Sequence, residues 1–179
     1  MLTGSALMAC ACGTKAAAGT NMCAALVGTR VMKQPPFRLA QLDHVVLRVR
    51  DMTTMQAFYC DVLGCEVERR QDELGLLQLR AGASLIDLVA VEGSIGRAGG
   101  AAPGAEGRNM DHFCLQVAPF DRAAIRAYLD AHDVRAGEFG SRFGAQGEGP
   151  SQYLFDPEGN LVELKGPPDT RAANAGEAR

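Results

Sequence analysis

The chain has 179 residues, a formal net charge of −3 and a pI near 5.6, enough for one substantial core and not for several domains. With no basic cluster longer than Arg69-Arg70 it offers no footprint for nucleic-acid phosphates, and no apolar run approaches the roughly 20 residues that span a bilayer. Cys10, Cys12, Cys23, Cys60, Cys65 and Cys114 follow no Cys-x-x-Cys spacing in a chain large enough to fold without staples, so they read as reduced thiols of a cytoplasmic protein.

Residues 1–36 are rich in Ala, Gly, Thr and Cys and show neither helical nor alternating periodicity, so they are expected to lie outside the fold. The absence of a basic n-region argues against a secretory signal and the scarcity of arginine against a mitochondrial presequence; the plainer expectation is a mis-set start codon, with a natural beginning at Met32-Lys33-Gln34-Pro35-Pro36. A domain over 37–166 follows, and the Pro167-Pro168 pair opens a tail over 167–179 that is expected to be mobile.

Within the domain the pattern is strand, helix and three strands, twice over. Asp43 to Arg50 alternates like a strand, and Thr53 to Leu63 sets Met55, Phe58, Tyr59 and Val62 on one helical face before Gly64 stops it. Strands are expected near Cys65–Gln71, Leu74–Arg80 and Ser84–Val91, completing a unit over about 42–91. Residues 92–108, loaded with Gly and Ala, read as a flexible linker. The second unit, about 109–165, starts with a strand over Asn109–Val117 and a helix capped by Asp121 whose apolar face carries Ile125, Tyr128 and Leu129. Strands near Val134–Arg142, Ser151–Phe155 and Asn160–Lys165 close it, with Asp156-Pro157-Glu158-Gly159 suited to a type I turn. The stretch Gly140–Gly149 reads as a lid or as a long connection.

The two units share a sentence: Leu42-Asp43-His44-Val45-Val46-Leu47-Arg48-Val49 and Met110-Asp111-His112-Phe113-Cys114-Leu115-Gln116-Val117 repeat Asp-His, a central Leu and a final Val. Strand parity separates packing from chemistry. Val45, Leu47 and Val49 share the face a helix covers, and His44, Val46, Arg48 and Arg50 share the other. Phe113, Leu115 and Val117 repeat this against His112, Cys114 and Gln116, and Asp87 and Glu163 fall opposite the apolar neighbours of their own strands. A repeat brings equivalent positions together, so two imidazoles and two carboxylates are expected to converge, and that combination is a metal's. His132, at a helix end, fails the parity test and is expected to meet the helix C-terminal carbonyls. Cys114 reads as a buried, inert thiol despite its neighbourhood.

These motifs, with Ala57-Phe58-Tyr59-Cys60-Asp61-Val62-Leu63-Gly64, Leu85-Ile86-Asp87-Leu88 and Tyr153-Leu154-Phe155-Asp156-Pro157-Glu158-Gly159-Asn160-Leu161-Val162-Glu163-Leu164, resemble the vicinal oxygen chelate superfamily. That superfamily includes glyoxalase I, fosfomycin-modifying thiol transferases, extradiol dioxygenases and bleomycin resistance proteins, and the resemblance covers about residues 40–166. It implies an α+β fold in which two tandem βαβββ units form an open, curled mixed β-sheet barrel with helices outside. It also implies a divalent metal held by His44, His112 and Glu163, with Asp87 where glyoxalase I carries a fourth ligand, one methylene shorter and reaching the metal directly or through water. Imidazole plus carboxylate suits Zn, Ni, Co, Mn or Fe without choosing among them.

The implied activity is that of a glyoxalase-like lyase or isomerase acting on a small molecule with adjacent oxygens through a metal-stabilised enediolate, Glu163 or Asp87 moving the proton. Its rivals are an Fe(II) extradiol-type ring-cleaving dioxygenase, which lacks a third site-face histidine here, and a non-catalytic drug-binding protein. Arg48 is a candidate for a substrate carboxylate or for an ion pair inside the barrel. Tyr153, ten residues before Glu163, is a candidate for substrate contact or an ordinary half-buried aromatic. The expected partners are a small-molecule substrate and a second copy of the chain in a homodimer, with neither nucleic acid nor membrane.

Overall fold

In a computed structural model, residues 37–169 are described; the expectations for 1–36 and for most of the tail fall outside them. Strand β1 (His44–Val49) buries Leu47 and Val49 completely and leaves His44 and Val46 exposed, as its alternation demands. Helix α1 (Met52–Ala57) begins at Asp51, whose carboxylate accepts from the Thr54 N–H at 2.9 Å. It passes into a wider π-helical turn over Phe58–Val62, and the widening turns Phe58 and Tyr59 together into the core, 6% and 0% exposed. Gly64 ends it at φ +73°, a conformation that other side chains rarely adopt. Strands β2 (Glu66–Gln71), β3 (Leu76–Ala81) and β4 (Ser84–Ala90) complete the first sheet in the order β1-β4-β3-β2, with β1 parallel to β4.

The second unit repeats this topology. Strand β5 (His112–Gln116), helix α2 (Arg122–Ala131), β6 (Ala136–Gly144), β7 (Gly147–Phe155) and β8 (Leu161–Lys165) form a sheet ordered β5-β8-β7-β6, with β5 parallel to β8. Asp121 caps α2 as expected, accepting from the Ala124 N–H at 3.0 Å. His132 ends it with Nδ1 2.9 Å from the Tyr128 carbonyl, the role the sequence predicts. Tyr128 departs from expectation: it is 45% exposed, and its hydroxyl reaches the Val62 carbonyl at 3.1 Å, while Leu129 is fully buried in the core and Ile125 packs against it.

The fold is α+β, two four-stranded mixed sheets that do not close on each other, with a core common to both units. Met55, Tyr59, Leu79, Ile86 and Leu88 of the first unit pack with Phe113, Leu129, Leu154 and Val162 of the second. The stretch over Gly140–Gly149 is neither lid nor long connection. It is the distal half of the β6–β7 hairpin, paired down to Gly144↔Gly147 around Ala145-Gln146. Its glycines and an 85% exposed Phe143 hide the alternation by which strands announce themselves.

The turn between β7 and β8 does more than reverse the chain. The Asp156 carboxylate, 4% exposed, accepts from the Tyr59 hydroxyl at 2.9 Å and the Asn160 amide at 2.7 Å, so the turn is fastened to the first unit's helix. Glu158 accepts from the Arg50 and Asp51 N–H groups, both at 2.7 Å. Asn109 makes a side-chain imitation of a β-bridge with Arg48, donating to its carbonyl and accepting from its N–H, both at 3.0 Å. These contacts hold the C-terminal end of β1 beside the start of β5, which fixes where the two site faces begin.

Candidate functional site

Sheet register sets the site. Val46 lies opposite Asp87 and Cys114 opposite Glu163, so in each unit the carboxylate sits diagonally across from the histidine of the Asp-His repeat. In the second unit the pair is close: His112 Nε2 lies 3.4 Å from Glu163 Oε2. Ligands at about 2.1 Å from a shared tetrahedral cation are separated by about that much. Both histidines are gripped from behind by the aspartate before them, His44 Nδ1 on Asp43 at 2.8 Å and His112 Nδ1 on Asp111 at 2.7 Å. A carboxylate on Nδ1 makes that nitrogen the donor and leaves the Nε2 lone pair for a metal. The same Asp43 bond raises the His44 pKa, against a smaller lowering by desolvation, with the Asp87 charge adding to the rise.

The two carboxylates are held differently. Glu163, 5% exposed, accepts from the buried Ser151 hydroxyl on Oε1 and the Tyr153 hydroxyl on Oε2 at 3.2 Å. Asp87, 6% exposed, accepts on Oδ2 from Gln78 at 3.0 Å, and its buried Oδ1 has no partner. Gln78 faces Asp87 across β3–β4 as Tyr153 faces Glu163 across β7–β8, so an amide and a phenol occupy corresponding places. An orphaned buried carboxylate oxygen is uncommon and points to a missing proton, water or cation.

Within one chain the four candidate ligands form two pairs, and no group of three or more His, Cys, Asp or Glu among the described residues is placed to hold one ion. His44 and His112 both line a cleft of about 760 Å³ along the seam between the two edge strands β1 and β5. The donor chemistry fits a divalent metal; a single chain supplies it in halves. A second cavity, about 340 Å³, opens beside His112 and Glu163 beneath the β6–β7 hairpin.

Tyr153 stands edge-on to the His112 ring, centroids 5.5 Å apart, with its hydroxyl on Glu163; burial and the Glu163 charge raise its pKa. Arg48 lies on the site face but turns to the linker, its guanidinium donating to the carbonyls of Gly99, Gly100 and Ala101 at 2.7–3.0 Å. It ties down a segment expected to be flexible, in which Gly96–Gly99 forms a 3-10 turn. Cys114 is exposed, contrary to the buried thiol expected, because β5 is an edge strand and its site face opens into the cavity beneath the β6–β7 hairpin. Partial burial, and then the Glu163 charge, push its thiol up to about 11, so it carries little thiolate. Ser151, Gln78, Asp43 and Asp111 escaped the sequence reading as site residues. The repetition of Asp before each histidine was the available signal for the last two.

A family model described as the Glyoxalase/Bleomycin resistance protein/Dioxygenase superfamily matches residues 41–164. Among solved structures, an integron cassette protein from the mobile metagenome of V. Cholerae is 27% identical, with a TM-score of 0.58 over 73% of this chain and 97% of that one. The virulence protein STM3117 from Salmonella typhimurium is 25% identical, with a TM-score of 0.60 over 73% and 99%. A lactoylglutathione lyase from Agrobacterium tumefaciens, 22% identical with a TM-score of 0.53 over 74% and 96%, shares the fold. Two βαβββ units of the same topology, and a family model matched along nearly the whole folded region, lead to one conclusion: the chain belongs to the Glyoxalase/Bleomycin resistance protein/Dioxygenase superfamily.

Proposed function

We propose that the protein is a metal-dependent, glyoxalase-like lyase or isomerase acting on a small molecule with two adjacent oxygens. The observation that carries the reading is the doubled half-site: an aspartate-braced histidine beside a buried carboxylate in each unit, with the His112–Glu163 pair already at the 3.4 Å spacing of two ligands. His44, Asp87, His112 and Glu163 are the residues that would hold the ion. Since one chain offers them as two pairs, the complete set is assembled from two copies, the His44–Asp87 pair of one meeting the His112–Glu163 pair of the other in a homodimer. A bound divalent ion supplies stabilisation of negative charge on neighbouring substrate oxygens.

The chain's own groups divide the remaining work. Glu163, held by Ser151 and Tyr153, is fixed in one orientation. Asp87, with Oδ1 uncommitted, is the carboxylate free to take a proton from a substrate carbon and return it. The Tyr153 hydroxyl braces Glu163 and stands at the mouth of the site beside His112, where it meets substrate. Metal analysis of the purified protein, with turnover of a 2-oxoaldehyde thiol adduct, tests the reading. About one nickel, cobalt or zinc ion per chain with isomerase turnover supports it; iron with oxygen uptake on catechols replaces it by a dioxygenase, and a metal-free protein that binds drugs without turnover removes the enzyme reading.

A further inference from the structure

Lys165 has no part in the chemistry above, yet it lies on the site face of β8, two residues beyond Glu163 and opposite Gln116. It is 7% exposed. Its ammonium donates to the backbone carbonyls of Arg142 and Gly149, the latter at 3.3 Å, and among the described residues it enters no ion pair. An ammonium has three N–H donors, so a donor and a full charge are left without a match. Burying a cation beside neutral carbonyls alone is unfavourable, and a methionine or leucine would fill the same space without that penalty.

The chain is shaped to keep the cation there. A side chain at Gly144 would place its first carbon 2.5 Å from Lys165 Cε and 2.9 Å from Cδ, so the glycine makes room for the lysine stem. Lys165 lines the 340 Å³ cavity that His112 and Glu163 also line. Opposite it, the Gln116 amide donates to Gln146 at the hairpin tip at 2.6 Å, bridging floor to hairpin and leaving the Gln116 carbonyl and three N–H groups of the two amides outside that bond. Glu163, the nearest carboxylate along the strand, is already engaged by Ser151, Tyr153 and His112. The charge therefore awaits a ligand.

We propose that Lys165 recognises an oxyanion, so that the substrate is a small carboxylate or phosphonate whose anionic end lies on Lys165 and the Gln116–Gln146 pair while its other end lies at His112 and Glu163. The inference rests on the preceding reading only for where that other end lies; the anion subsite stands on its own geometry.

The test uses the full chain, 15N-labelled and stripped of metal with EDTA, titrated with phenylacetate, phenylacetamide and benzylphosphonate and followed by amide chemical shifts. Phenylacetate or benzylphosphonate is expected to shift Gln116, Gly149 and Lys165 and to bind at least tenfold more tightly than the neutral amide, the tighter of the two anions naming the oxyanion. In Lys165→Met, which keeps the stem and removes the charge, the preference is expected to vanish while amide dispersion persists. If that variant does not fold, the acid-against-amide comparison in the unaltered chain still decides. Equal binding of acid and amide, shifts confined to other faces, or a preference that survives in Lys165→Met would overturn the proposal. Metal uptake without anion preference leaves the metalloenzyme reading standing and removes this one; anion preference in a protein that takes up no metal does the reverse.

Discussion

Glu163 and Asp87 hold corresponding positions in the two sheets, and their surroundings make them chemically unequal. Removing the Ser151 hydroxyl frees one oxygen of Glu163 to rotate. Ser151→Ala is expected to weaken metal affinity by about tenfold, read by competition with a chromophoric chelator, with little change in fold. Asp87→Ala removes a group with an unsatisfied oxygen, so it is expected to leave folding intact, to lower metal affinity and to abolish proton transfer, whereas Asp87→Glu retains activity. An unchanged metal spectrum in Asp87→Ala would take Asp87 out of the ligand set. His112→Ala is expected to lose most of the bound metal and His132→Ala none of it, since His132 meets only its own helix end. The ligand candidates were legible in the sequence because strand parity is a geometric fact, two residues per repeat. Ser151 and Gln78 were not, because bracing a carboxylate on the next strand depends on register, and register between strands is invisible in one sequence.

Helix starts were readable where a capping residue preceded an apolar face, as at Asp121. Asp121→Ala is expected to lower stability by about 1 kcal/mol in urea unfolding. Asp51 caps α1 in the same way, and the Thr54 hydroxyl and N–H hold its carboxyl below the usual range. A depressed acid pKa contributes stability that is present above the unfolded value and lost as pH falls through the folded one. The stability gap between the parent chain and Asp51→Ala is thus expected to be full at pH 7 and to close below the ordinary carboxylate range; a gap that widened on acidification would contradict the assignment. The β6–β7 hairpin and the π-helical turn were not legible, the first because exposed glycines erase alternation, the second because one widened turn leaves the residue pattern almost unchanged.

The turn over Asp156–Gly159 was read from sequence as a simple chain reversal, and the structure makes it the fastening between units. Tyr59→Phe removes the hydroxyl that Asp156 accepts from and leaves a buried carboxylate short of a donor, which is expected to destabilise the fold by about 1–3 kcal/mol. This fastening, with the common core, holds the two units of one chain together, and the proposal above has a second chain complete the site faces without rearranging the first. A heterodimer decides the matter. One chain carries His44→Ala and Asp87→Ala, the other His112→Ala and Glu163→Ala, with different tags so that only the mixed dimer is purified for metal analysis. Sites built from halves of two copies leave one intact set in such a dimer, so one ion per heterodimer is expected, against two in the parent dimer and none in either variant alone; a mixed dimer as empty as the variants would contradict a shared site.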